Sequence, residues 1–337
     1  MSATGGGRIG WIDVARAAGA VAIVLLHVLV STRIACDLSV ARQVAYAVVG
    51  ITLTRWAVPA FFMISGLLLL DPRRAMDWGR ALGYARRMVV VLATFGVAFA
   101  LMEEAFDALT AHEGLSPMLL VDAVVDVLCG RTWDHLWYVY ATLVAYLALP
   151  PLHALRLRIG ERGFACLAGA LFVAVLVVPT LMRAEVPNAL IAVACLCVGA
   201  CLPKISLGPL SVCCGLGSLL IMLWVSVSGV LAGIGDEGFI FLQGSCFACA
   251  WATLVLLSMR ELLPADAGRG GVVAALARES FGIYLVHPFF VHLLLIAVDP
   301  QEVPAGLFEA LSFVAVLAVS YGTCRLLRHV PIVGDVI

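Results

Sequence analysis

The feature that most constrains this chain is the recurrence of long apolar stretches from one end to the other. A helix needs about 20 mainly apolar residues to span a bilayer. Ten such stretches run near 10–31, 44–70, 82–106, 135–154, 163–182, 187–203, 209–231, 238–260, 273–298 and 304–327. Gly, Pro and charged residues collect between them, as connections require. Composition agrees, with 63% of the 337 residues hydrophobic and 13% charged. A water-soluble domain is nearer half apolar and a quarter charged, and a chain this apolar cannot hide the excess in one core. The expected fold is therefore all-α: a polytopic transmembrane bundle of about ten helices, one domain over 1–337. A net charge of −1 leaves no basic stripe for nucleic acid.

The first stretch contains Arg16 and His27 and is followed by Arg33 and Asp37 rather than by a small-residue cleavage site. It reads as a retained helix, not a signal peptide. With the N-terminus cytoplasmic, sixteen of the 21 basic residues fall at cytoplasmic ends and loops, from Arg8 and Arg16 through Arg73, Arg74, Arg80, Arg86, Arg87, Arg156, Arg158, Arg162, Lys204, Arg260, Arg269 and Arg278 to Arg325 and Arg328. Arg33, Arg42, Arg55, Arg131 and Arg183 are the exceptions. That asymmetry predicts a cytoplasmic N-terminus and, with an even helix count, a cytoplasmic C-terminus. The opposite face is acidic, with Asp107, Glu113, Asp122, Asp126 and Asp134 in the longest loop and Asp236, Glu237, Asp299 and Glu302 in others. Most of the 11 cysteines lie inside apolar runs, so the Cys246-x-x-Cys249 pair reads as packing between helices rather than redox or metal chemistry.

Ionisable side chains inside a bilayer are costly and mark functional positions. Arg16 and His27 are eleven positions apart, which places them within about 20° on one face and about 16 Å apart along the axis. Asp13 sits one turn before Arg16. In the second stretch Arg55 falls near mid-membrane, Pro59 frees a backbone carbonyl, and Ser65-Gly66 permits close helix approach. The third stretch ends on Glu103-Glu104 and the fourth opens on DHLWYVY, placing Asp134, His135, Trp137, Tyr138 and Tyr140 at the outer interface. The ninth holds Glu279, Ser280, Tyr284, His287 and His292, with Pro288 breaking the ladder beside His287. His287 and His292 point about 140° apart, so they form no metal pair, and no metal is expected.

Four segments, WIDVARAAGAVAIVLLH, VPAFFMISG, HLWYVYATLVAYLALPPL and SFGIYLVHPFF, resemble in content and order the acyltransferase-3 family of membrane acyltransferases, which O-acylate bacterial envelope glycans. The resemblance covers nearly the whole chain. VPAFFMISG, HLWYVY and the short length look most like the branch that includes enterobacterial common antigen O-acetyltransferase. One departure is visible: the family commonly has Arg-x-x-Arg at the start of the third helix, whereas Arg86-Arg87 is followed here by Met88, Val89 and Val90.

The resemblance implies a multi-pass protein of the bacterial inner membrane, with cytoplasmic acetyl-CoA as donor and a glycan or lipid-linked sugar as acceptor. The candidate catalytic set is His27, Arg16, Arg55, Glu103, Glu104 and His135. The candidate donor-binding set is Arg16, Arg86, Arg87, Ser65, Tyr284 and His287. A transporter or flippase of a glycolipid or acyl group is the rival reading, in which the same polar residues line a pathway. The absence of repeated halves with matching broken helices speaks against it.

Overall fold

The structure is a computed structural model that describes residues 9–36, 38–110, 112, 116–233, 245–304 and 306–337. Arg8, Asp37, Glu113, Asp236, Glu237 and the 238–244 part of the eighth stretch lie outside the described residues. Among the described residues the chain is all-helical, without strands. In order come α1 (Gly10–Ala35), α2 (Val40–Tyr46), α3 (Ala57–Leu69), α4 (Trp78–Val91), α5 (Val97–Thr110), α6 (Met118–Cys129), α7 (Trp137–Leu171), α8 (Val178–Met182), α9 (Asn188–Cys201), α10 (Pro209–Leu231), α11 (Cys246–Leu262), α12 (Gly271–Ala297) and α13 (Leu307–Leu327).

Seven helical segments are long and apolar enough to cross a membrane, and 188–204 is a shorter apolar helix. One of the seven, 134–182, has 49 residues, roughly twice what a bilayer needs. It is really two rods, because Gly160 interrupts it with φ 70° and ψ 178°, a conformation that only glycine adopts without strain. The fourth and fifth apolar stretches are therefore separate rods on either side of Gly160. The chain is a multi-pass membrane protein.

Two features depart from the sequence reading. The longest loop contains a helix, α6, packed on α5. The second, third and fifth stretches are not continuous α-helix but carry π-helical turns at Ala47–Leu53, Leu92–Gly96 and Phe172–Val177. After the first of these comes a turn, 54–56, before α3 begins. Thr52 donates its hydroxyl to the Ala47 carbonyl at 2.9 Å, and Thr54 donates to that of Gly50. The two hydroxyls are thereby satisfied inside the apolar bundle by backbone of their own segment.

Packing follows from small residues. α3 crosses α9 so closely that a Cβ on Gly66 would stand 1.9 Å from the Leu196 carbonyl oxygen, and one on Gly199 2.1 Å from that of Met63. In lipid, where apolar burial does not drive helices together, such close backbone approach is the main source of attraction. α9 also packs on α7, and α7 on α4. The bundle closes on itself: α1 packs along α12, which packs along α13. Just before the Gly160 break in α7, buried Arg156 grips Glu161 through two hydrogen bonds of 2.9 Å and donates to the Leu70 carbonyl at 2.7 Å. This staple ties the end of α3 to the Gly160 break.

Candidate active site

The pairing of α1 with α12 decides what His27 meets. Its ring lies 4.9 Å from that of His287, edge to face. Residue 287 stands next to Pro288, whose missing N–H leaves the Tyr284 carbonyl without its helical donor. His287 Nδ1 lies 3.0 Å from the Ile283 carbonyl oxygen. A carbonyl can only accept, so the hydrogen sits on Nδ1 and Nε2 carries the lone pair. That Nε2 is buried and has no hydrogen-bond partner among the described residues.

A third imidazole comes from the start of α7. His135 sits in a short 3₁₀ turn, Asp134–Leu136, with its ring 6.1 Å from His287 and 5.7 Å from Tyr284. The Tyr284 hydroxyl donates to the His135 carbonyl, which pins the turn to α12. The His135 Nε2 is also buried and unpartnered among the described residues. Beyond it, Trp133 stacks on Phe99 at 4.6 Å and meets His292 edge-on at 4.8 Å. His292 is exposed, so this aromatic group leads from the histidines toward the surface.

Arg55 approaches from the turn before α3 and interacts electrostatically with His27 and with Tyr46. Its Nε is buried without a hydrogen-bond partner among the described residues. An orphaned guanidinium nitrogen in a bundle interior is expensive unless something else accepts from it. Three buried nitrogens lacking partners (on Arg55, His135 and His287) therefore belong to one cluster around His27. The arrangement supplies a lone pair to take a proton and a cation to hold a developing negative charge.

Other candidates fall elsewhere. Arg16 interacts with Tyr138 and Tyr146 of α7, well along α1 from His27. Arg86 and Arg87 are exposed on α4. Ser65 donates its hydroxyl to the Phe61 carbonyl at 3.0 Å, a bond within its own helix, and so reads as packing beside Gly66. Glu103 is exposed and Glu104 half-buried. The charges they interact with are those of Asp107, Asp122, Asp126 and Asp134 rather than the histidines. All eleven cysteines are free. The thiol contact is between Cys195 and Cys249 at 4.0 Å, across α9 and α11, not within the C-x-x-C. Among the described residues no three His, Cys, Asp or Glu side chains are arranged to hold a metal ion.

The sequence reading placed His287 with the donor, and the structure puts it against His27. It also passed over Trp133, Phe99, Tyr84 and Tyr146, and read Tyr138 only as an interfacial aromatic. The i, i+4 spacing of Tyr138, Thr142 and Tyr146 was the signal available for Tyr146.

No curated protein and no solved structure matches the chain. Residues 9–325 do match the acyltransferase domain of the acyltransferase-3 type, which takes in every residue of the histidine cluster. The chain belongs to the acyltransferase-3 family.

Proposed function

We propose that this protein is an O-acetyltransferase of the bacterial inner membrane that moves an acetyl group from cytoplasmic acetyl-CoA to a hydroxyl of an envelope or lipid-linked glycan, with both termini cytoplasmic. The observation that carries this is the convergence of His27, His287, His135 and Arg55 in the interior of a chain of an acyltransferase family. The basic asymmetry of the loops supports the orientation. The VPAFFMISG and HLWYVY segments support a place near the enterobacterial common antigen branch.

The steps balance as follows. His27 takes the proton of the acceptor hydroxyl as its oxygen bonds to the thioester carbonyl carbon. Arg55 stabilises the oxyanion of the tetrahedral intermediate. The carbon–sulfur bond then breaks, and the leaving thiolate takes the proton from the His27 imidazolium. His287 packs edge to face against His27 and holds its ring in place by that contact. His135 and the Trp133 group, with Glu103 and Glu104 beyond, receive the sugar from the outer side. Aromatic faces and carboxylates suit its C–H and O–H groups.

The test is transfer of radiolabel from acetyl-CoA to a glycolipid by purified protein in detergent, comparing wild type with His27→Ala. The expected result is transfer by wild type and a loss of about 100-fold or more in the variant, the range for removal of a general base. Transfer that survives His27→Ala refutes the assignment. Wild type that transfers no acyl group from any CoA thioester, yet moves substrate across proteoliposomes, establishes a transporter instead.

A further inference from the structure

The turn that brings His135 to His287 has a second side. Trp137, two residues after His135 and the first residue of α7, lines an apolar cleft of about 250 Å³, open space at its mouth included. Val58, Pro59 and Phe62 of α3 form one wall, and Asn188, Ile191 and Cys195 of α9 the other. Each of these residues lies in the first eight positions of its helix, so the cleft sits where α3, α7 and α9 all begin. Burial grades along it. Asn188 is exposed, Val58, Trp137 and Ile191 are half-buried, and Phe62 and Cys195, 2% and 1% exposed, form the floor. Past the mouth such a cleft offers nothing to a sugar or a charge, whereas hydrocarbon gains by entering it.

One ring separates the cleft from the histidine cluster. Phe62 lies 4.7 Å from Tyr138, and Tyr138 lies 5.1 Å from Tyr284, whose hydroxyl donates to the His135 carbonyl. Trp137 meets Tyr138 edge-on at 6.2 Å. Between residues 133 and 137 the chain thus turns Trp133 toward exposed His292, His135 toward His287 and Trp137 toward the cleft. A molecule that is polar at one end and apolar at the other can meet both surfaces from this one turn. An ordinary membrane lipid has a tail for the cleft and no sugar for the Trp133 group.

We propose that the cleft holds the hydrocarbon tail of the acceptor, which makes that acceptor a glycolipid rather than a free polysaccharide. This inference rests on the acyl-transfer reading, in which the sugar lies at His135 and Trp133. The tail enters past Asn188 and Trp137 and ends against Phe62 and Cys195, so that its burial holds the sugar at the histidines. The cleft residues position the acceptor and take no part in bond making.

The probe is a dodecyl β-glucoside with a photoreactive diazirine at the end of its chain, irradiated with full-length protein in phospholipid nanodiscs. Label is expected on the cleft residues of α3 and α9, displaced by dodecyl β-glucoside but not by methyl β-glucoside or added phospholipid. Ile191→Trp, and Val58→Trp from the facing wall, should each lower it about tenfold or more, the effect of losing contact with about two methylenes. Label that falls only elsewhere, or that persists in full in both variants, overturns the proposal. Label that added phospholipid displaces as well as the glucoside does also overturns it, and makes the cleft a seat for bulk lipid. Transfer from radiolabelled acetyl-CoA is read separately. If wild type transfers nothing yet is labelled in the cleft as expected, the cleft stands and the transferase reading falls. If wild type transfers equally well to methyl and dodecyl glucosides and the cleft is unlabelled, the transferase reading stands and the cleft falls.

Discussion

Replacing Gly66 by Ala probes the crossing that holds α3, and with it Arg55, in place. The added methyl carbon would lie 1.9 Å from the Leu196 carbonyl oxygen, 2.7 Å from its carbonyl carbon and 3.0 Å from its Cα. All three are backbone, so no side-chain rotation relieves the clash. Restoring ordinary contact requires the helices to part by about 1.5 Å. Overpacking typically costs about 1–3 kcal/mol, and a rigid neighbour puts this site at or above the upper figure. A loss of ~3 kcal/mol is more than a hundredfold in the folded-to-unfolded ratio. The assay is thermal unfolding in detergent, with Gly217→Ala of α10 as control. A Cβ at Gly217 meets nothing within 4 Å, so that change gains about 0.5–1 kcal/mol of helix preference. The two substitutions are expected to shift the midpoint in opposite directions. Gly199→Ala, aimed at the Met63 backbone, should add less in the Gly66→Ala background than alone, because the helices have already separated. A Gly66→Ala midpoint matching that of Gly217→Ala would refute the crossing.

Two further perturbations test the polar staples. Arg328→Ala strands the carboxylate of Glu279, which is 2% exposed and held at 2.8 Å by Arg328 Nε. The expected loss is roughly 2–3 kcal/mol, below that for a sealed pair because Arg328 is partly in water. Adding Glu279→Gln should recover most of it, and a double variant less stable than Arg328→Ala sinks the idea. Arg156→Lys gives up the two-pronged grip on Glu161 and the bond to the Leu70 carbonyl. About 1–3 kcal/mol should be lost in thermal unfolding, whereas exposed Arg158→Lys should change nothing measurable, and equal midpoints would count against the staple.

How far these features could be read beforehand varies with what each depends on. The apolar stretches were legible because a bilayer dictates length and hydropathy segment by segment. Helix α6 was not, since Asp122 and Asp126 within twelve residues make it resemble a loop by composition. Arg16 and His27 could be placed on one face because both belong to one helix. That His27 meets His287 could not be read, because a helical wheel is silent on which helix is its neighbour, and these two are 260 positions apart. The same gap hid the Tyr84–Tyr146 contact. Pro59 signalled a distortion, but the structure puts the break one turn earlier, where a π-helical segment delivers Arg55 to the interior.

The pairing of α1 with α12 also fixes when the histidine cluster can be complete. His27 is synthesised 260 residues before His287. At about 5–20 residues per second of synthesis, that interval is roughly 13–50 s. Throughout it, α1 carries Arg16 and His27 in lipid without the helix that shelters them, so Asp13, one turn from Arg16, and α3 are the early company the sequence provides. Every shorter nascent chain lacks His287. On the proposed mechanism the site stays incomplete until α12 arrives, so the order of synthesis keeps a partial site from reacting.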